Sequence, residues 1–149
     1  MAKTSYFDTS VLLPALNMQH VLHAPCLQLL RSAANTGTVV STALHTYAEL
    51  YTHLTKPAKL NIHLPPLRVA DLLIDQLPTT LQLIELQRHH YDSAIRRCAG
   101  LQLVSAIVYE ALHLEAALSA DAQELYTHNT KDFHRLLTPD DPIRIKGIR

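Results

Sequence analysis

Two acidic residues stand where a carboxylate could take part in chemistry. Asp8 follows the short apolar segment Ser5–Phe7, and Asp132 follows Glu124–Thr127, which is also typical of a strand. If both strands belong to one parallel sheet, their carboxyl ends share a rim, and such rims bind ligands. Carboxylate oxygens gathered there would suit a hard divalent cation such as Mg²⁺ or Mn²⁺.

Glu110 is a third candidate because of its position on a predicted helix. At 3.6 residues per turn it lies at the edge of an apolar stripe formed by Leu103, Ile107 and Leu114. A carboxylate there needs a partner or a metal ion, because an unpaired buried charge is costly. The alternative is a boundary glutamate that reaches water or an arginine such as Arg96 or Arg97.

An acidic cluster of this kind has physical consequences. One or two bound ions could polarise a phosphodiester, lower the pKa of a bound water and stabilise the leaving oxygen. Crowded carboxylates repel one another, so at least one of them should have a raised pKa. Ser10 and Asn129 could orient waters or acids around the site. Asp8 could instead cap a helix within Asp-Thr-Ser, and Asp132 could be an ordinary turn residue.

Other motifs carry less chemistry. Glu110 and His113 form an E-x-x-H pair, the spacing found in di-iron carboxylate bundles. Those bundles need two such motifs and four long helices, whereas this chain has one motif and several strand-like segments. His89 and His90 suggest a solvated turn. With only three glycines, phosphate-binding glycine loops are not expected.

Strand-like and helix-like segments alternate along the whole chain. The predicted strands are Ser5–Phe7, Thr38–Ser41, Leu81–Ile84, Glu124–Thr127 and Ile143–Ile145. The predicted helices carry Val11–Leu13, run from Pro25 to Ala34, and cover Ala43–Thr55, Leu67–Leu77, Tyr91–Ala99 and Val104–Ser119, with a turn at Asn129–Phe133. This alternation predicts one α/β domain over residues 1–149, with a mostly parallel sheet flanked by helices.

Composition narrows the class of protein. Hydrophobic residues make up 48% and charged residues 17%, a globular balance that argues against disorder. The net charge is zero, which gives no support to non-specific nucleic-acid binding. Cys26 and Cys98 are expected to be reduced thiols and not a disulfide or zinc site. No apolar run is long enough for a membrane span, so we expect a soluble cytoplasmic protein.

Four segments occur in an order and at spacings that resemble the PIN-domain ribonucleases: Tyr6–Leu13, Ser41–Leu50, Val108–His113 and Leu125–Phe133. The resemblance covers nearly the whole chain and implies a PIN-like three-layer fold. It implies a four-acid site of Asp8, Glu49, Glu110 and Asp132. Glu49 is singled out by the resemblance alone. Helical periodicity places Glu49 opposite Leu44, Tyr47, Tyr51 and Leu54. A solvent-exposed helix face would account for a glutamate there without any function.

In its size and single-domain organisation, the chain also resembles the toxins of VapBC-type toxin–antitoxin pairs. This implies an Mg²⁺- or Mn²⁺-dependent single-strand endoribonuclease that forms a homodimer and is held inactive by a small antitoxin. Asp8, Glu110 and Asp132 would hold metal, and Glu49 would bind metal or position the attacking water. The third acid of the family is normally aspartate, and glutamate at 110 extends roughly 1.5 Å further.

Two alternatives stay open at this stage. The chain could be an active nuclease, or a PIN-like module that binds RNA or a protein partner without cutting. Apolar residues around the predicted proline-led helix, Leu60, Ile62 and Leu64, add modest support to a homodimer.

Overall fold

A computed structural model describes residues 2–56 and 64–148. The strands are β1 Thr4–Phe7, β2 Val39–Ala43, β3 Gln82–Ile84, β4 Glu124–Tyr126 and β5 Arg144–Lys146. The helices are α1 Thr9–Leu16, α2 His23–Asn35, α3 Thr46–Thr55, α4 Pro66–Asp71, α5 Leu77–Thr80, α6 Arg88–Gly100, α7 Ile107–Ser119 and α8 Thr130–Leu136. None of the helices described is long and apolar enough to cross a bilayer.

The described strands form one five-stranded sheet in the order β3-β2-β1-β4-β5, and every neighbouring pair is parallel. This confirms the predicted α/β fold with a parallel sheet flanked by helices. Successive strands step outward from β1 to β3, and the chain then returns to place β4 on the other side of β1. The carboxyl ends of β1 and β4 are therefore a topological switch point, where α/β sheets bind ligands.

Side chains of β1 alternate between two hydrophobic cores because successive strand residues point to opposite faces. Tyr6 packs with the buried residues of α6, α7 and α8, and Phe7 packs with those of α1, α3 and the helices after residue 65. Both rings are fully buried. The sheet is thus the middle of three layers, and acids at the end of β1 lie beneath helices from both sides.

The predicted turn at Asn129–Phe133 is wrong, because the chain forms helix α8 there. Phe133 and Leu136 are both fully buried and lie one turn apart on the face of α8 that packs against the core. Asn129 precedes the helix, and its carbonyl oxygen accepts a hydrogen bond from the amide of Phe133 at 3.3 Å. Asp132 is therefore held on the first turn of a helix.

Several element boundaries differ from the sequence prediction. Ala43 ends β2 and does not begin a helix, because its amide donates to the buried Tyr6 hydroxyl. Helix α7 begins after Ser105, whose φ of 66° cannot continue a helix. The expected turn at His89 is the first turn of α6, where the amide of Gln87 donates to His90 Nδ1 at 2.9 Å.

A π-helical segment, Leu72–Gln76, joins α4 to α5 in place of the single helix predicted over Leu67–Leu77. Pro78 lies in the first turn of α5, and proline interrupts helical hydrogen bonding because it has no backbone N–H. Leu60 and Ile62, which belong to the apolar segment noted in the sequence, lie outside the described residues.

Arg97 of α6 ties together the elements that carry two of the candidate acids. Its guanidinium donates to both oxygens of Asp141 at 2.6 and 3.1 Å, to the carbonyl of Leu136 at 3.0 Å, and to Glu115 of α7 at 3.4 Å. Its side chain is only 15% exposed. Arginine at this point fixes the spacing between α7 and the end of α8.

We expect Arg97→Ala to lower the free energy of unfolding by about 3 kcal/mol or more, because it leaves two poorly exposed carboxylates unpaired. Burial raises the pKa of Asp141, but the hydrogen bonds from Arg97 and Thr138 and the charge of Arg97 together hold that pKa below its ordinary value. The stabilisation is therefore present above about pH 4 and disappears as the pH falls further. Urea unfolding at pH 7 and pH 3 measures both effects.

Arg88→Ala is the matched control, since Arg88 is 93% exposed and contacts Asp92 at 3.8 Å on the surface of the same helix. That variant should lie within about 0.5 kcal/mol of wild type. Equal losses for the two arginines would contradict the assignment of Arg97 as the tie between helices.

Candidate active site

Asp8 lies at the carboxyl end of β1 and is 5% exposed. Its two carboxylate oxygens accept hydrogen bonds from Ser10 Oγ at 2.6 Å and Thr127 Oγ1 at 2.7 Å. Asp8 occupies the N-cap position of α1, but its side chain makes no capping hydrogen bond. The helix-cap interpretation of Asp8 is therefore wrong, and its carboxylate is directed across the sheet toward the end of β4.

Burial raises the pKa of Asp8, while the nearby His113 and the two hydroxyl donors act in the opposite direction. The parallel pairing of Phe7 with Tyr126 is what places Thr127 beside Asp8. Ser10 also accepts a hydrogen bond from the amide of His128 at 3.0 Å. The two hydroxyls thus hold one carboxylate oxygen each and fix the Asp8 side chain between β1 and β4.

Glu110 reaches this group through Asn129. The side-chain amide of Asn129 donates to Glu110 Oε1 at 3.4 Å, and its backbone amide donates to Thr127 Oγ1 at 2.8 Å. Burial raises the pKa of Glu110, and the negative charges of Asp132 and Asp8 raise it further. The sequence offered Arg97 as a possible partner of Glu110. That pairing is wrong, because Arg97 binds Asp141 and Glu115 instead.

Asp132 contributes charge more than contact. Its Oδ1 accepts a hydrogen bond from Arg135 at 3.1 Å, one turn along α8. No hydrogen bond joins Asp132 to Asp8 or Glu110 among the described residues. The structure therefore brings Asp8 and Glu110 into one hydrogen-bonded network, with Asp132 close enough to repel Glu110.

Glu49 belongs to a neighbouring group of contacts that includes Thr9, the residue after Asp8. Thr9 Oγ1 donates to Glu49 Oε2 at 3.0 Å, and His113 Nε2 lies 3.2 Å from Oε1. Burial raises the pKa of Glu49, but the imidazoles of His113 and His45 outweigh it and hold that pKa well below its usual range. Glu49 is therefore anionic at neutral pH.

The sequence-based assignment of Glu49 to a solvated helix face is only partly right, because its side chain is 37% exposed but its carboxylate contacts Thr9 and His113. Helix α3 packs through Thr46, Leu50 and Leu54, whereas Tyr51 is 44% exposed. Four-residue spacing of the buried side chains turns Glu49 toward the site. The apolar stripe chosen from the sequence had the wrong phase, because it gave weight to the tyrosines and none to the buried threonine.

His113 is a residue of this site that sequence analysis missed. It is 5% exposed, and its Nδ1 lies 2.6 Å from the hydroxyl of Tyr6, which accepts a hydrogen bond from the Ala43 amide. The sequence linked His113 with Glu110 as a metal motif, but its contacts are with Tyr6 and Glu49. A signal was available, since His113 lies inside the apolar stripe of α7 and a buried imidazole needs hydrogen-bonding partners.

His45 lies beside the same carboxylate. Its Nε2 is 3.1 Å from Glu49 Oε1, and its ring centre is 4.5 Å from that of His113. Its N–H direction misses the carboxylate, so both ring nitrogens are buried without a hydrogen-bond partner among the described residues. The contact between His45 and Glu49 is therefore close but lacks the geometry of a hydrogen bond.

This arrangement provides oxygen donors with little positive charge to balance them. A divalent cation would relieve the repulsion between Glu110, Asp132 and Asp8, and the donors are the oxygen ligands that Mg²⁺ and Mn²⁺ prefer. Ser10 contacts Asp8, and Asn129 contacts Glu110.

The PIN domain family model matches residues 5–137 of this chain. No curated protein sequence matches it. The region that the family model matches includes the segments that carry all four acids.

Three solved structures have similar folds. VapC20 from Mycobacterium tuberculosis, described as a toxin that cleaves the sarcin–ricin loop, aligns with a TM-score of 0.67 and 17% identity over 93% of this chain and 99% of its own. VapBC2 from Rickettsia felis, bound to a promoter DNA fragment, aligns with a TM-score of 0.64 and 18% identity over 97% of this chain and 98% of its own. A chain of a toxin–antitoxin complex from Klebsiella pneumoniae aligns with a TM-score of 0.60 and 20% identity over 95% of this chain and 96% of its own.

We expect Glu110→Gln to stabilise the metal-free protein by up to about 1 kcal/mol at pH 7.5, because it removes a carboxylate that Asp132 and Asp8 repel. Partial exposure of Glu110 screens this repulsion and limits the gain. A raised folded pKa means that the penalty of the wild-type carboxyl grows as the pH rises above about 4, the ordinary value for glutamate. Thermal unfolding in a chelator across that range measures the difference.

Glu85→Gln, a change at an exposed glutamate beyond β3, should leave the melting temperature unchanged at every pH. A Glu110→Gln protein that melts below wild type at pH 7.5 would show that repulsion does not dominate at Glu110.

Proposed function

The chain belongs to the PIN-domain family, and from that premise we propose that it is a metal-dependent single-strand endoribonuclease, the toxin of a toxin–antitoxin pair. The observation that carries this proposal is the hydrogen-bonded network that links Asp8 to Glu110 through Thr127 and Asn129 at the switch point of the sheet, with Asp132 near enough to help raise the pKa of Glu110. A protein gains nothing in stability from acids held together in this way. The arrangement is useful when a cation binds there.

Asp8, Glu110 and Asp132 would hold Mg²⁺ or Mn²⁺, and the fit rests on their oxygen-only donors and on the negative charges of Asp8 and Asp132 near Glu110. When bound, the ion would polarise the phosphodiester and lower the pKa of a bound water. Asp8 suits a ligand because Ser10 and Thr127 fix its rotamer before any ion arrives. Preorganisation of this kind reduces the cost of forming a site.

Glu49 would orient the attacking water or complete the ligand set. Its lowered pKa makes it a weak base, because an efficient general base has a pKa near the working pH. A permanently anionic carboxylate is better suited to hold a water in place. His113 and Thr9 fix one oxygen each, so the side chain is held in one orientation.

A single strand of RNA suits a rim site because its phosphates and bases are accessible outside a helix. We also propose that the chain acts in the cytoplasm, as one domain over its length, and forms a homodimer bound by a small antitoxin. A cavity of about 700 Å³ between the end of α1, α3 and α4 is lined partly by Leu16, Leu54 and Leu72 and would suit an apolar segment of such a partner. A monomer mass measured by light scattering at micromolar concentration would refute the proposed homodimer.

The second candidate is a PIN-like module that binds RNA or protein without cutting it. The observation that favours it is the ion pair between Arg135 and Asp132, which already occupies one of the proposed ligands. The pair lies at the surface, where such interactions contribute little and are easily exchanged for a stronger cation. Nuclease activity is therefore the better-supported function.

We expect the wild-type protein to cleave single-stranded RNA when Mg²⁺ or Mn²⁺ is present and to lose cleavage in a chelator. Asp8→Asn should lower the rate at least about a hundredfold, because it removes charge from the centre of the site. Asp75→Asn, at an exposed acid of the π-helical segment, is the matched control and should cleave at the wild-type rate. A fluorescent RNA substrate measures all three proteins.

Cleavage that persists in Asp8→Asn, or that needs no divalent ion, would remove the proposed mechanism. RNA binding by the wild type without any cleavage would favour the non-catalytic module.

Glu110→Asp should weaken Mn²⁺ binding and slow cleavage, by up to on the order of a hundredfold. Glutamate already reaches the network through Asn129, so a side chain shorter by one methylene would fall short of the shared cation. Isothermal titration with Mn²⁺ and the same RNA assay measure both effects. Tighter binding by the aspartate variant would show instead that glutamate misplaces its carboxylate.

A further inference from the structure

We propose that His45, Glu49 and His113 form a binding site for Zn²⁺, separate from the site of Asp8, Glu110 and Asp132. One ligand atom from each of the three residues lies within 4.8 Å of the others. Two imidazoles and a carboxylate form a donor set that suits Zn²⁺, whereas Mg²⁺ prefers oxygen alone.

The distances between ligand atoms fit a shared ion. Glu49 Oε1 lies 3.1 Å from His45 Nε2 and 3.2 Å from His113 Nε2. Tetrahedral ligands at the usual zinc distances stand roughly 3.3 Å apart. An ion between these atoms would therefore need only small side-chain movements.

His45 supplies an independent indication of a ligand. Both of its ring nitrogens are buried and lack a hydrogen-bond partner in the part of the chain that the structure describes. Buried polar atoms are almost always satisfied, so an orphaned imidazole beside a carboxylate requires an explanation. A metal ion would accept the lone pair of His45 Nε2. It would also explain why Nε2 lies close to Glu49 Oε1 without a hydrogen bond, since both atoms would bind the ion and not each other.

Tyr6 completes the surroundings that zinc-binding histidines usually have. A ligating imidazole normally donates its other ring N–H to an oxygen, which fixes the tautomer and the ring orientation. His113 Nδ1 lies 2.6 Å from the Tyr6 hydroxyl oxygen. Zn²⁺ would bind the Nε2 lone pair of the neutral tautomer whose single ring proton is on Nδ1, from where it can donate to the Tyr6 hydroxyl oxygen.

The consequence for activity rests on the proposed function. Glu49 is shared between the two groups, because its Oε1 faces the histidines and its Oε2 faces Thr9. An ion that binds Oε1 would withdraw Glu49 from the attacking water. Zn²⁺ would therefore inhibit cleavage even when Mg²⁺ fills the oxygen site.

Titration calorimetry with Zn²⁺ alone, and absorption spectroscopy with Co²⁺ as a coloured substitute, test the site without any activity assay. Wild type and Asp8→Asn should each bind Zn²⁺ and give the visible absorption of low-coordinate Co²⁺. His45→Gln should lose at least tenfold in Zn²⁺ affinity and lose the Co²⁺ band. His53→Gln is the matched control, because His53 is an exposed histidine of α3, the helix that His45 precedes, and this variant should bind Zn²⁺ as wild type does.

Circular dichroism and thermal unfolding would verify that His45→Gln is folded. Absence of Zn²⁺ binding by the wild type would overturn the proposal. It would also be overturned if His45→Gln kept its affinity while Asp8→Asn lost it, since zinc would then occupy the acidic site.

The RNA assay then separates this proposal from the nuclease. Zn²⁺ added to Mg²⁺-loaded protein should slow wild-type cleavage, and each variant is compared with its own rate in Mg²⁺ alone. Inhibition should be at least tenfold weaker in His45→Gln, and equal inhibition of both would overturn the link to Glu49. A protein that never cleaves RNA but loses Zn²⁺ binding in His45→Gln would refute the nuclease and support the zinc site.

Discussion

Strand β1 pairs in parallel with β2 on one side and β4 on the other, and every feature of the site follows from that central position. Asp8, the residue that follows β1, emerges where helices from both faces of the sheet converge, so it is nearly excluded from water. A buried carboxylate must be satisfied locally. The end of β4 supplies Thr127 for this purpose, and the first turn of α1 supplies Ser10.

Those two hydroxyls satisfy Asp8 but do not neutralise it. Glu110 and Asp132 add negative charge from helices on the same side of the sheet, and Arg97 holds those helices at a fixed separation. The fold therefore keeps acids close together against their repulsion. If the proposed function holds, such an arrangement would trade stability of the metal-free protein for a preformed cation site, a pattern typical of functional positions.

Helix α7 serves two chemically different groups with residues three apart. Glu110 turns toward Asn129 and the oxygen donors, while His113 reaches through the core to Tyr6 and Glu49. Side chains at this spacing share a helix face but diverge enough to meet different partners. Glu49 thereby stands between carboxylates that suit hard cations and imidazoles that suit softer ones, and the competition between them would be decided by which ion is present.

The amino-acid sequence by itself determined the α/β fold, the parallel strands, and the placement of Asp8 and Asp132 after strands, because strand and helix periods are local properties. Helix α8 was missed because Phe133 and Leu136 reveal their burial only against the core. The direction of Glu49 was decided by the tertiary structure, since the phase of a short helix depends on which side chains pack. The partners of His113 lie 64 and 107 residues away in sequence. Contacts of that separation follow from how the layers assemble, and no local pattern records them.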